Sequence, residues 1–383
     1  MQLQVRVIVN MSITLLPKEI LEIIYHYVDA LSDRIALACT SPQLNAAATF
    51  SNLAHTVEKE YDVNIVKKHR AVDVVLKNAT FLDALCHFRH ITHLHLRSLN
   101  IEKISTLPPN LIGLYCYNNG LEELPTVLPS TLKILCCGGN LLKKLPALPP
   151  TFTELHCSDN ELNELPALPS TLTSLECSEN YLKELPQLPS TLQTLYCGGN
   201  QLKKLPTLPS SLDTLVCNYN QLEELPAPLP STLVELDVSG NRVKKLPTLP
   251  SSLRILVCSN NNDLKELPTL PPYLCVLGCA FNGLKELPVL ASTLVELCCG
   301  GNSLKRLPGL PPNLVTLDCS GNQLKQLPVL PLDLCTLDCS SNRLKQLPAL
   351  PWSLEFVCSC NNLRNLECRT VGEEEEEDFS DDE

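Results

Sequence analysis

The residues with most chemistry to offer are cysteines, twenty of them in a chain of 383. Thiols at this density could build a disulfide framework, ligate a metal or supply nucleophiles. Their spacing decides. Eleven of them (Cys116, Cys137, Cys157, Cys177, Cys197, Cys217, Cys258, Cys279, Cys299, Cys319 and Cys339) occupy one position of a recurring segment, and one further copy has Val238 there. A position shared by cysteine and valine asks for a small buried apolar group. Stacked parallel strands would hold such side chains roughly 4.8 Å apart, wider than the about 3.8 Å Cβ spacing of a disulfide. The column is therefore expected to be reduced thiols in a reducing, intracellular compartment.

Cys86, His87, His90, His93 and His95 offer the donor types of a zinc site. The segment passes from a helical into a strand pattern, with His93 and His95 on one strand face, so no metal is assigned. The pairs Gly138-Gly139, Gly198-Gly199 and Gly300-Gly301 precede an asparagine, not a Gly-Lys-Ser/Thr and a helix. They are turn glycines and not a phosphate loop. No Ser-His-Asp or nucleotide-binding pattern occurs, so no catalytic residue or cofactor is assigned and the chain is expected not to be an enzyme.

The element that positions all of this is a twenty-residue unit, L-x-x-L-x-C-x-x-N-x-L-x-x-L-P-x-L-P-x-T, clear in twelve copies between 111 and 353 and degenerate at both ends of 91–368. A fixed period of this length marks a solenoid whose coils bury their apolar faces against one another. The L-x-x-L-x-C part predicts a short parallel strand, and the asparagine amide a tie to the backbone of the adjacent coil. Two prolines three apart exclude a helix in L-P-x-L-P and favour an extended, polyproline-like return. One-residue insertions at Val127, near Pro228 and within 260–263 should fall in loops.

Outside the repeats, 1–11 form an N-terminal extension, with Met11 a second candidate start. No secretory signal or membrane span is evident. Residues 12–52 have helical periodicity and read as a small α-helical module. The segment 53–90 is expected to hold two helices capping the solenoid. The acidic run within 369–383 is expected to be disordered. It carries nine acids of a formal net charge of −12, leaving about −3 for the rest.

The segment LLPKEILEIIYHYVDALSDRIALACTSPQLNAAAT (15–49) resembles an F-box. That resemblance implies docking on a Skp-type adaptor of a cullin-type ubiquitin ligase through Leu16, Pro17, Ile20, Leu21, Ile24 and Leu37. The repeats resemble leucine-rich repeats, in the short form found in bacterial effectors and in giant viruses that infect amoebae. This implies a horseshoe of α/β type with its parallel sheet on the concave face and thin, extended segments on the convex side. It also places the third, fifth, seventh and eighth unit positions on the concave face.

At those positions stand Glu154, Asp159, Glu176, Glu179, Glu235, Asp237, Glu296, Asp318 and Asp338, and no lysine or arginine in the twelve copies. Tyr115, Tyr117, Tyr196, Tyr219 and Phe281 are candidate anchors among them. Lysines gather instead two or three residues after the asparagine (Lys143, Lys144, Lys203, Lys204, Lys244, Lys245, Lys305, Lys345), which predicts edges of opposite charge. An acidic face predicts a protein partner with a basic surface and excludes nucleic acid, which needs a basic one. The expected function is protein–protein interaction, as the substrate-recognition adaptor of the ligase, with a simple repeat scaffold as the alternative. The chain is expected to be monomeric outside its complex.

Overall fold

The computed structural model describes residues 54–57, 67, 73–354 and 356–358. The F-box-like module, the N-terminal extension, most of the last coil and the acidic tail therefore lie outside the described residues. The chain divides into two compact units, 1–162 and 163–383.

The first unit contains the parallel strands β1 (Ala54–Val57), β2 (Asp73–Leu76), β3 (His93–His95), β4 (Gly113–Tyr115), β5 (Ile134–Cys136) and β6 (Glu154–His156), paired in sequence order. The second contains β7 (Ser174–Glu176), β8 (Thr194–Tyr196), β9 (Thr214–Val216), β10 (Glu235–Asp237), β11 (Ile255–Val257), β12 (Val276–Gly278), β13 (Glu296–Cys298), β14 (Thr316–Asp318), β15 (Thr336–Asp338) and β16 (Phe356–Cys358). These too pair in parallel with their sequence neighbours. Each unit is a leucine-rich-repeat solenoid.

Each clear copy gives one three-residue strand whose central leucine is buried, while its neighbours on the other face are mostly half-exposed. The leucines that open each unit, Leu132, Leu192 and Leu314 among them, are fully buried beneath the sheet. All eleven cysteines of the column and Val238 have no exposed surface, as the cysteine–valine exchange implies. Cys86, Cys136, Cys275, Cys298, Cys335 and the eleven cysteines of the column are free thiols. The L-P-x-L-P segments contain neither helix nor strand.

The asparagine ladder forms as expected. Asn200 Nδ2 donates to the Cys177 carbonyl of the preceding coil at 3.0 Å and to its own coil's Cys197 carbonyl at 3.2 Å. Its Oδ1 accepts from Leu182 N–H at 3.0 Å. One side chain thus satisfies backbone groups that two coils would otherwise bury unpaired. A second ladder, to which the sequence pattern assigned no role, runs through the Thr or Ser hydroxyl that ends nine of the twelve copies; Tyr273, Asn313 and Asp333 stand there in the others. Thr191 Oγ1 donates to the carbonyls of Ser170 and Leu172 at 2.9 and 2.7 Å.

The insertions are absorbed as the period requires. Strand partners lie twenty residues apart in most pairs, but Gly113 pairs with Ile134, Thr214 with Glu235 and Ile255 with Val276, twenty-one apart. The strands themselves keep their register. At 260–263 the ladder adapts: Asn282 Oδ1 accepts from Asn261 N–H at 2.7 Å, where a leucine N–H serves Asn200, Asn220 and Asn302 and the Val243 N–H serves Asn261.

The expectation of two helices over 53–90 is corrected in part. β1 and β2 lie there and pair with each other, and β2 pairs with β3. The only helical turns described after β2 are a 3-10 turn at Ala79–Phe81 and a four-residue helix, Leu82–Leu85. In Asp73-Val74-Val75-Leu76 half-exposed and buried positions alternate with period two, although the letters, one acid before three apolar residues, do not alternate, and valine favours a pleated surface.

Candidate functional site

The sheet face of each unit presents the third and fifth positions of every copy. In the first unit it is rich in rings. His95 stacks on Tyr115 with ring centroids 4.3 Å apart, and its Nε2 lies 3.0 Å from Asp73 Oδ1. Tyr115 is half-buried, and burial chiefly pushes its hydroxyl pKa up, with Cys136, Asp73 and Glu154 adding to the effect. Glu154 lies 3.9 Å from His156 Nε2. Tyr117 is covered by the Arg97 guanidinium, 5.0 Å from its ring centroid, a cation–π contact. The histidines of the supposed metal cluster are thus divided. His95 belongs to this face, His90 stacks on Phe88, and Cys86 Sγ is turned inward to the Leu82 and Thr106 carbonyls. Among the described residues no three such donors converge on one point.

In the second unit the face carries Glu176, Tyr196, Glu235, Asp237, Glu296, Asp318 and Asp338, all half-buried. The three aspartates are set by the backbone: Ser239, Ser320 and Ser340 N–H groups each donate to the Oδ1 two residues back, at 2.9 Å. Tyr196 has its hydroxyl pKa pushed up first by burial and then by Glu235, Glu176 and Asp213. Cys298 donates to Glu296 Oε1 at 3.5 Å, and its pKa is pushed up to about 12 by partial burial and then by Glu296 and Asp318. Both effects register a negative field at the sheet surface.

The eighth position needs a correction. In all twelve copies its backbone is left-handed, with φ between 48 and 65°, including Asp159, Glu179, Tyr219 and Phe281. It is a turn at the strand's end and not a part of the flat face. Such a φ is costly for any residue with a Cβ. The exposed rings of Tyr219 and Phe281 (62% and 58%) overlie Gly240 and Gly301, the eighth-position glycines of the next coil. A Cβ on Gly240 would lie 2.7 Å from Tyr219 Cδ1. Glycine there gives the ring its place.

The opposite-charge edges also need correcting. The lysine edge is mixed, since acids stand among the lysines and pair with them between coils: Lys103 with Glu123 at 3.4 Å and Lys244 with Glu223 at 3.1 Å. A cleft of about 750 Å³ on this edge is lined by Lys203, Lys204, Glu223, Glu224, Lys244 and Lys245, in which charge alternates from coil to coil. These exposed pairs contribute little to stability. What distinguishes the sheet face of the second unit is that the charged side chains at its third and fifth positions are all acidic.

Charge reasoning missed an apolar interval in the acidic face. Between Glu235/Asp237 on β10 and Glu296 on β13, the outward positions are Ile255 and Val257 on β11, and Val276 and Gly278 on β12. Two adjacent copies whose third and fifth positions hold only aliphatic residues or glycine were the available signal.

Comparison with solved structures places these coils among known folds. Two of the similar structures are YopM from Yersinia enterocolitica, 36% identical with a TM-score of 0.61, and YopM from Yersinia pestis, described as a leucine-rich effector protein, 32% identical with a TM-score of 0.59. The aligned regions cover 74% of this chain and 63% of the former, and 73% of this chain and 90% of the latter. This chain therefore belongs to the leucine-rich-repeat proteins. A leucine-rich-repeat protein of Leptospira interrogans shares the fold at 22% identity and a TM-score of 0.55, over 79% of this chain and 93% of that one. Comparisons with protein-family models and with curated proteins gave no match. No helix among the described residues is long and apolar enough to cross a membrane.

Proposed function

We propose that this chain is a non-catalytic scaffold that holds a protein partner with a basic surface on the acidic sheet face of its second unit. The observation that carries the proposal is the sign of that face: Glu176, Glu235, Asp237, Glu296, Asp318 and Asp338, with no lysine or arginine at the third or fifth position of any clear copy. A surface lined by one sign attracts the other and raises the association rate at low salt. Capture of a partner by the full chain should fall at least tenfold when Glu235 and Asp237 are both replaced by lysine. Unchanged capture at low ionic strength would sink the proposal.

A finer role, as substrate-recognition adaptor of a cullin-type ubiquitin ligase, is supported by the sequence of 15–49 alone, which lies outside the described residues. A Skp-type adaptor titrated with the purified chain should bind, and Leu16→Asp with Ile20→Asp should abolish binding. An adaptor that does not bind the unaltered chain leaves the scaffold without that role. The free, buried thiols support residence in a reducing compartment.

A further inference from the structure

The apolar interval in the second unit has a shape, a frame and a spacing, and together they specify a ligand. Its floor is the two-by-two set Ile255, Val257, Val276 and Gly278, in register on β11 and β12. Gly278 lowers one corner of that floor: a Cβ there would lie 2.9 Å from Val257 Cγ1, so the valine leans over the glycine. On one side stands Glu235, in register with Ile255, and on the other Glu296, in register with Val276. The two carboxylates share one column of the face, three strand steps apart, or about 14 Å at roughly 4.8 Å per step.

An extended peptide laid across the strands advances about 3.3 Å per residue and turns alternate side chains to the same side. Four residues therefore span about 13 Å. The side chains at its first, third and fifth positions would all face the sheet. We propose that this face takes an extended peptide with basic residues four apart and an aliphatic residue midway. The bases meet Glu235 and Glu296, and the aliphatic side chain meets the Ile255–Val276 floor. The proposal rests on the acidic face being the partner-binding surface, and names the class of partner. Lysine and arginine suit the ends because their stems cover apolar surface while the heads reach the carboxylates. A lone aliphatic group suits the centre because the floor beneath it, Ile255 and Val276 in register, is aliphatic.

The probe is a labelled peptide, acetyl-Gly-Lys-Ser-Leu-Ser-Lys-Gly, titrated with the full chain by fluorescence polarisation at low salt. It should bind saturably, and at least tenfold more tightly than a peptide with the lysines three apart or with serine for leucine. Glu235→Gln with Glu296→Gln, which keeps side-chain shape, should weaken binding at least tenfold, and so should Val276→Lys with an unchanged circular dichroism spectrum. Equal binding of the re-spaced or leucine-free peptide overturns the proposal, as does a paired glutamine variant of unaltered affinity. If no peptide binds yet reversal of Glu235 and Asp237 abolishes partner capture, the peptide class is wrong and the acidic-face reading survives. If partner capture is also unmoved, both fall.

Discussion

Replacing Asn200 by alanine removes four hydrogen bonds at a site only 8% exposed. Three are donated, to the carbonyls of Cys177, Cys197 and Gly198, and one is accepted from Leu182 N–H. A net bond contributes about 1 kcal/mol, and an orphaned buried group costs about 1–3 kcal/mol. The bonds to the preceding coil have no water to replace them, so the loss should be roughly 2–4 kcal/mol. Asn200→Asp separates the two halves of the amide. It keeps an acceptor for Leu182 but sets an oxygen against the carbonyls in place of a donor. Burial disfavours its ionised form, which raises the folded-state pKa above the unfolded value. Its residual stability should therefore be fullest below the unfolded pKa of about 3.9 and fall as pH rises through the folded one. Asn342, half-buried in the last of the clear copies, should lose less on truncation to alanine. Urea titration followed by circular dichroism, at pH 4 and pH 7, measures all three. A loss under about 1 kcal/mol for Asn200→Ala, or an aspartate variant indifferent to pH, refutes the account of the ladder.

The thiol column carries its own pH signature. Burial pushes Cys116 and Cys258 from 9.0 up to about 12, so the folded state holds protons that the unfolded state releases. The stability they confer is complete below pH 9 and lost toward pH 12, at about 1.4 kcal/mol per pH unit and thiol. Cys258→Val should flatten that alkaline decline by one proton's worth in a thermal-unfolding series, because valine already serves at 238. An aromatic disulfide reagent should modify the half-exposed Cys275 and Cys335 before any column thiol in the native protein, and mass spectrometry of the labelled peptides reads the order. Gly240→Ala should cost about 2 kcal/mol, from a left-handed φ of 62° and the clash with Tyr219. Combined with Tyr219→Gly, it should cost about half as much, as a double-mutant cycle by urea unfolding will show.

The framework was legible because each of its residues repeats for one physical reason. Leucine, cysteine, asparagine and proline recur wherever the backbone makes the same demand. The hydroxyl ladder was equally present in the letters, but threonine and serine are common loop residues and a period alone does not say what they bond. Val74 and Leu76 were hidden differently: one strand without its neighbours' motif has no period to betray it. On the face itself charge was easy to read. The apolar interval was not, because isoleucine and valine on a strand look like core until the register shows which side they occupy. Tyr219 and Phe281 looked like members of the flat face because nothing in a single copy reveals a left-handed turn. Comparing copies does: glycine or asparagine, the residues that best tolerate a left-handed φ, hold that position in seven of the twelve.

The three extra residues leave the strands in step. Two of them, at Val127 and Pro228, sit between the prolines of the return segment, and Val127 is 82% exposed. The return segment is thus a place where length is free while the sheet face keeps its pitch. A short foreign segment, such as a protease site, grafted there should leave the outward side chains of neighbouring strands in register, as the natural insertions do.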